Sequence, residues 1–187
     1  MSNFTCKKYA QSLATQLASN DWTDVDILAE KLQQLIVSGK SLYVCGNGGS
    51  AGNAQHLAND FLYGISPLKA KALRVEALSA NASVLTCLGN DIGYDKIFSR
   101  QLEVKANEGD ILLVLTGSGN SDNIIQAIEI AKKLGMYTAG ILGYSGGKAK
   151  EILDLPLHFD INDMQISEDL QLVVGHMLMR LLCDEDV

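Results

Sequence analysis

The sequence predicts an α/β fold in which a parallel sheet of five strands is covered on both faces by helices. Short apolar strands alternate with stretches of helical periodicity along most of the chain. Residues 111–115 and 139–142 are almost continuously apolar, as strands buried on both sides must be. Two of the strands end in loops of Gly, Ser, Asn and Thr that open a helix, a common form of the βα connection.

Taken in order, Leu13, Leu17, Ile27, Leu28, Leu32 and Ile36 recur at helical spacing on either side of Asn20-Asp21, predicting two N-terminal helices at about 4–18 and 23–38. A strand at 41–45 leads into the turn Gly46-Asn47-Gly48-Gly49-Ser50 and a helix from 51 to about 63. Residues 73–78 form the second strand. Residues 111–116 form the third, which ends in Gly117-Ser118-Gly119-Asn120-Ser121. A helix carrying Ile124, Ile125, Ile128 and Ala131 follows. Strands at 137–142 and 155–159 complete the sheet, and a last helix runs from about 165 to 183. Pro67 and Pro156 fall near turns or strand edges, where a missing N–H does least harm. No repeat, linker or low-complexity stretch divides the chain, so a single domain over 1–187 is expected.

Composition narrows the function. At 47% apolar and 20% charged the chain buries a core. A net charge of −7 argues against an electrostatic grip on nucleic acid or anionic lipid. It leaves anionic small molecules open, because backbone amides supply local positive potential. Cys6, Cys45, Cys87 and Cys183 form no CxxC pair and read as free thiols of a reducing compartment. The start MSNFTCKKYA lacks the apolar stretch of a signal peptide, and no apolar run approaches a membrane span. A cytoplasmic protein is expected.

The two Gly/Ser loops are candidate phosphate sites. Glycine lets backbone approach a ligand, helix-start amides point outward, and the hydroxyls of Thr116, Ser118 and Ser121 add hydrogen bonds. Neither loop has the Lys-Ser/Thr of a P-loop or the third Gly of a dinucleotide fingerprint. Either loop alone could be an ordinary turn with a serine cap, but two in one chain favour phosphate. His56 and Asp60, at i and i+4, share a helix face that suits a divalent metal, a proton-transfer pair or simply solvent. Glu168 and His176 stand eight residues apart on the last helix, roughly 80° out of phase. Both can reach one cleft, or His176 can be a core histidine among Val173, Val174, Met177 and Leu178.

Longer motifs carry a resemblance. Gly46-Asn47-Gly48-Gly49-Ser50 followed by Gln55-His56 resembles the first signature of the phosphoheptose isomerases of the sugar isomerase (SIS) family. Gly89-Asn90-Asp91-Ile92-Gly93-Tyr94 with Ile97-Phe98-Ser99-Arg100-Gln101 resembles their second, and Ser118-Gly119-Asn120-Ser121-x-Asn123 their third. Order and spacing match from about Leu42 to Leu182. The resemblance implies a three-layer sandwich around a five-stranded parallel sheet, assembled as a homotetramer whose active sites neighbouring subunits complete. It implies an aldose/ketose sugar-phosphate isomerase converting sedoheptulose 7-phosphate to D-glycero-D-manno-heptose 7-phosphate through an enediol, for lipopolysaccharide core, capsule or another heptose-containing glycan. The implied substrate contacts are Asn47, Gly48, Gly49, Ser50, Asn90, Asp91, Thr116, Gly117, Ser118, Asn120, Ser121 and Glu168. One Zn2+ per subunit is implied at His56, Asp60, Glu168 and His176, with Asp60 as general base and His176 as partner acid.

The chain also departs from that family. Asp60 stands where Glu is usual, one methylene shorter, and Glu168 where Gln is usual, adding negative charge that should hold a cation more tightly. Phe61-Leu62-Tyr63-Gly64-Ile65 lacks the family's Arg, and Thr116-Gly117-Ser118 replaces Ser-Thr-Ser. Two other readings stand beside the enzyme: a non-catalytic relative that associates with the bacterial replication initiator, and a regulatory sugar-phosphate-binding module. Retention of His56, Asp60 and His176 favours the enzyme.

Overall fold

The computed structural model describes residues 5–67 and 72–183. Five parallel strands, β1 (Ser41–Gly46), β2 (Arg74–Ala77), β3 (Ile111–Thr116), β4 (Tyr137–Leu142) and β5 (Leu155–His158), form one sheet in the order β2-β1-β3-β4-β5. Eight α-helices accompany them among the described residues: α1 (Cys6–Ser19), α2 (Thr23–Ser38), α3 (Gly49–Asn59), α4 (Ala82–Asp91), α5 (Ser99–Lys105), α6 (Asp122–Lys133), α7 (Gly147–Ile152) and α8 (Met164–Leu182). The expected first helix reaches back to residue 4, which lies outside the described residues.

The alternation of the strands sorts the core into two. Leu42, Val44, Leu113 and Leu115 face one cluster with Leu28 and Leu32 of α2, Leu57 of α3 and Leu170, Val174 and Leu178 of α8. Tyr43, Cys45, Leu112 and Val114 face the other, with Phe98 and Leu102 beside α5 and Ile124, Ala127 and Ile128 of α6. Because successive strand side chains point to opposite faces, a strand apolar at every position needs helices on both sides. The result is the expected three-layer sandwich. α1 buries no residue completely; Tyr9, Leu13 and Leu17 pack on the first cluster from outside.

Several elements differ from expectation. The helix expected at 51–63 starts two residues earlier, at Gly49, and from Asp60 to Gly64 it widens into a π turn. Helices α4, α5 and α7 were not expected. They have ten, seven and six residues, and α4 buries none of its residues fully, so none of them presents the long buried stripe of α2 or α8. Pro156 sits within β5, the edge strand beside β4, where only one neighbour needs its backbone.

The chain leaves β1 toward β2 on one side, then crosses back to place β3 on the other. Such a reversal opens a crevice beyond the carboxyl ends of the two central strands. The loops that follow β1 and β3 are the two Gly/Ser loops.

Candidate active site

The two loops face one another across that crevice. A cavity of about 250 Å³ is lined by Asn47, Gly48, Gly49, Ser50, Thr116, Gly117, Ser118 and Ser121, with Leu115, Met164 and Glu168. Both helices that start here, α3 and α6, have N-caps (Gly48 and Ser121) without a side-chain cap bond. Ser121 therefore does not serve as an ordinary serine cap, and the first amides of both helices are available to an anion. The Asn47 and Asn123 amides bond reciprocally, each Nδ2 donating to the other's Oδ1 at 2.9 Å. This pair ties the loop after β1 to the first turn of α6, and the Tyr94 hydroxyl donates to Asn47 Oδ1 at 3.2 Å.

Thr116 and Ser118 each accept a backbone N–H with their hydroxyl oxygen, from Gly119 and Asn120. The Asn120 side chain turns away from the cavity: its Nδ2 donates to the Ser118 carbonyl and its Oδ1 accepts from Lys148 N–H. It braces the loop against α7, where Gly119 lies so close to the Gly146 carbonyl that no side chain fits. Asn90 and Asp91, at the end of α4, are exposed, bonded to each other at 2.7 Å and absent from the cavity wall. Of the expected substrate contacts, the chain thus gathers both loops and Glu168 into one cavity and leaves the side chains of Asn90, Asp91 and Asn120 outside it.

A second group lies farther along α3. His56 Nε2 is 3.1 Å from His176 Nε2 and 3.3 Å from Asp60 Oδ2, and His176 Nε2 is 3.6 Å from the same oxygen. The two rings meet edge to face, half exposed, and the Asp60 side chain is 16% exposed. His176 is therefore not a core histidine. Helices α3 and α8 run side by side in the same direction, Gly49 against Glu168, Asn53 against Gln171 and Leu57 against Gly175. Gly175 allows the approach, since any Cβ there would strike Leu57, and the contact sets the neighbouring histidines together.

This trio fits a metal ion. Donor atoms around tetrahedral zinc at 2.0–2.1 Å stand about 3.4 Å apart, close to the spacings of this triangle, and two imidazoles with a carboxylate are a zinc donor set. Glu168 is not part of it. Eight residues of helix carry Glu168 about 12 Å from His176 along α8, and its carboxylate rests against Gly49 at the loop after β1. The expected four-residue set is thus reduced to His56, Asp60 and His176 among the described residues.

Sequence reasoning passed over Gln171 and Asn53, which support the cavity from α8 and α3, and gave no role to Tyr94 and Asn123. Asn53, Tyr94 and Asn123 fall within or between quoted motifs, but buried Gln171 looks in sequence like any polar residue of a helix.

Comparison with known proteins places the fold in one class: the SIS domain pattern matches residues 7–143. The chain is 40% identical to the phosphoheptose isomerase of Clostridium acetobutylicum over 86% of this chain and 79% of that protein. It is 37% identical to that of Geotalea daltonii over 94% of this chain and 89% of the other. The solved phosphoheptose isomerase of Neisseria gonorrhoeae superposes with a TM-score of 0.86 at 29% identity, over 94% of this chain and 95% of that one. The chain belongs to the phosphoheptose isomerase family of SIS domain proteins.

Proposed function

We propose that this chain is an aldose/ketose sugar-phosphate isomerase that converts sedoheptulose 7-phosphate to D-glycero-D-manno-heptose 7-phosphate. The observation that carries the reading is the division of the site along α3. The anion-ready loops stand at its start, and His56 with Asp60 follows six residues after Ser50, about 9 Å along the axis. A substrate that fills both ends keeps its phosphate well away from its reacting carbons, as a sugar phosphorylated at the far end of a seven-carbon chain does. The relatives named for this activity support the same assignment.

In this reading the loop amides and the hydroxyls of Ser50, Thr116, Ser118 and Ser121 hold the phosphate. Asp60 removes the proton from the carbon next to the carbonyl, and His176 handles the proton at oxygen or on the opposite carbon. A zinc ion held by His56, Asp60 and His176 supplies, when bound, polarisation of the sugar oxygens and stabilisation of the developing negative charge. Glu168, at the loop rather than with the trio, faces the sugar as a hydrogen-bond acceptor.

The site belongs to a homotetramer in which neighbouring subunits complete it. An apolar groove of about 540 Å³ between α2 and α8, lined by Trp22, Val25, Met177 and Leu181, runs up to His176, and Leu62 and Tyr63 stand exposed on the π turn beside Asp60. Asn90 and Asp91, exposed outside their own chain's cavity, are placed to serve another. The enzyme acts in the cytoplasm, supplying heptose for lipopolysaccharide core or capsule.

The test is incubation with sedoheptulose 7-phosphate in heavy water. Solvent deuterium should enter at the carbon next to the carbonyl, and Asp60→Asn and His176→Ala should each lower the rate by about 10²–10⁴, the usual size of a general acid–base effect. An Asp60→Asn protein that isomerises at the wild-type rate removes Asp60 as the base.

A further inference from the structure

We propose that Gln171 is a positioning residue of the phosphate cavity: it turns the Ser50 hydroxyl so that its proton faces the ligand. The inference rests on the phosphate reading of that cavity.

The argument starts from an atom whose role is fixed. The backbone carbonyl of Glu168 can only accept, so the Asn53 atom 3.0 Å from it is the nitrogen Nδ2. The same nitrogen lies 2.9 Å from Gln171, so the Gln171 atom facing it is the acceptor Oε1. The other end of the Gln171 amide is then Nε2. It lies 3.0 Å from Ser50 Oγ and donates to it. Each orientation forces the next, and the chain ends on a serine oxygen that accepts.

That outcome settles what Ser50 has left to give. One lone pair is taken, and the hydroxyl proton has no acceptor among the described residues. Ser50 is only 4% exposed, lies in the first turn of α3 and lines the cavity between the two loops. A hydroxyl that accepts from an amide is polarised toward donating, and the cavity is where its proton can find a partner. Gln171 is 1% exposed, so water does not compete for either of its bonds. A glutamine that merely filled the core would not need a donor at one end and an acceptor at the other held in this order.

Three substitutions separate direction from packing. Gln171→Met keeps the length and removes both polar ends. Gln171→Glu keeps the shape, and its carboxylate draws the Ser50 proton away from the cavity. Ser50→Ala removes the hydroxyl. Calorimetry with sedoheptulose 7-phosphate, and separately with inorganic phosphate, gives the affinities, and thermal melts report folding. A hydrogen bond to a charged group is worth about 1.5–3 kcal/mol, so Ser50→Ala should weaken binding by at least roughly tenfold. Gln171→Glu should approach that loss and Gln171→Met should show part of it. In the Ser50→Ala background, Gln171→Met should change affinity no further, because its effect passes through Ser50. An equal additional loss in that background overturns the proposal while leaving the phosphate site standing. Undiminished affinity of Ser50→Ala overturns the proposal, and only if the double Ser118→Ala, Ser121→Ala protein also binds undiminished does the phosphate reading fall with it. If Gln171→Glu fails to fold, the comparison of Gln171→Met with and without Ser50 decides alone.

Discussion

Ser118 and Ser121 bring hydroxyls to the cavity from the loop after β3, on the side opposite Ser50. Ser118 already accepts the Asn120 N–H, so its proton is free to donate, and Ser121 makes no cap bond to α6. Replacing both with Ala removes two donors from one anion, and sugar-phosphate affinity measured by calorimetry should fall by roughly 100-fold or more. Unchanged affinity would place the phosphate elsewhere. At this scale the sequence spoke clearly where chemistry and spacing coincide. The Gly-Ser clusters at two strand ends do come together at one cavity, and His56 and Asp60 at i and i+4 do share a face. It was silent where a partner comes from a distant element. The eight-residue spacing of Glu168 and His176 sets them about 12 Å apart along α8, but not which part of α3 each one meets, Gly49 for Glu168 and His56 for His176. The pairing of Asn47 with Asn123 exists only once β1 and β3 lie side by side.

The crossing of α3 and α8 decides whether the trio exists. Gly175 sits fully against Leu57, itself buried, so Gly175→Ala must push one helix away or force Leu57 from its place. Overpacking of this kind costs about 1–3 kcal/mol, against a gain of up to about 1 kcal/mol from replacing Gly with Ala inside a helix. With that gain realised in full, the net effect should be destabilisation of up to about 2 kcal/mol in denaturant titration. Zinc uptake should weaken more than stability does, since His56 and His176 flank the contact. A variant that takes up zinc as tightly as the wild type would show that the crossing does not set the trio. The strands were legible because β3 and β4 bury nearly every side chain. The short helices α5 and α7 were not, because seven and six residues complete too few turns to show a period.

At the scale of the whole molecule, the described chain leaves apolar surface where its chemistry is. Leu62, Tyr63 and Leu181 are each more than half exposed, and the groove between α2 and α8 opens next to His176. Surface of this kind is what subunit contacts commonly cover. Sedimentation at micromolar concentration should show a tetramer, and a monomer would remove the neighbour that the proposed site requires. Among the described residues α1 buries nothing completely within its own chain, while α2 buries five residues, so the outer face of α1 is further surface that such an assembly would cover. One further property follows from β1, an interior strand of the sheet. Cys45 of β1 is wholly enclosed between sheet and helices, and burial pushes its thiol far above the usual range, whereas Cys6 and Cys87 are exposed. A thiol reagent should therefore modify exposed Cys6 first, Cys87 more slowly because its bond to the Asp91 carboxylate pushes its thiol up, and Cys45 only as the molecule opens, a labelling rate that counts excursions from the native state. Because the loop after β1 grows directly from that strand, a sugar phosphate seated there as proposed should slow Cys45 labelling in proportion to its occupancy, and mass spectrometry could read binding without any turnover.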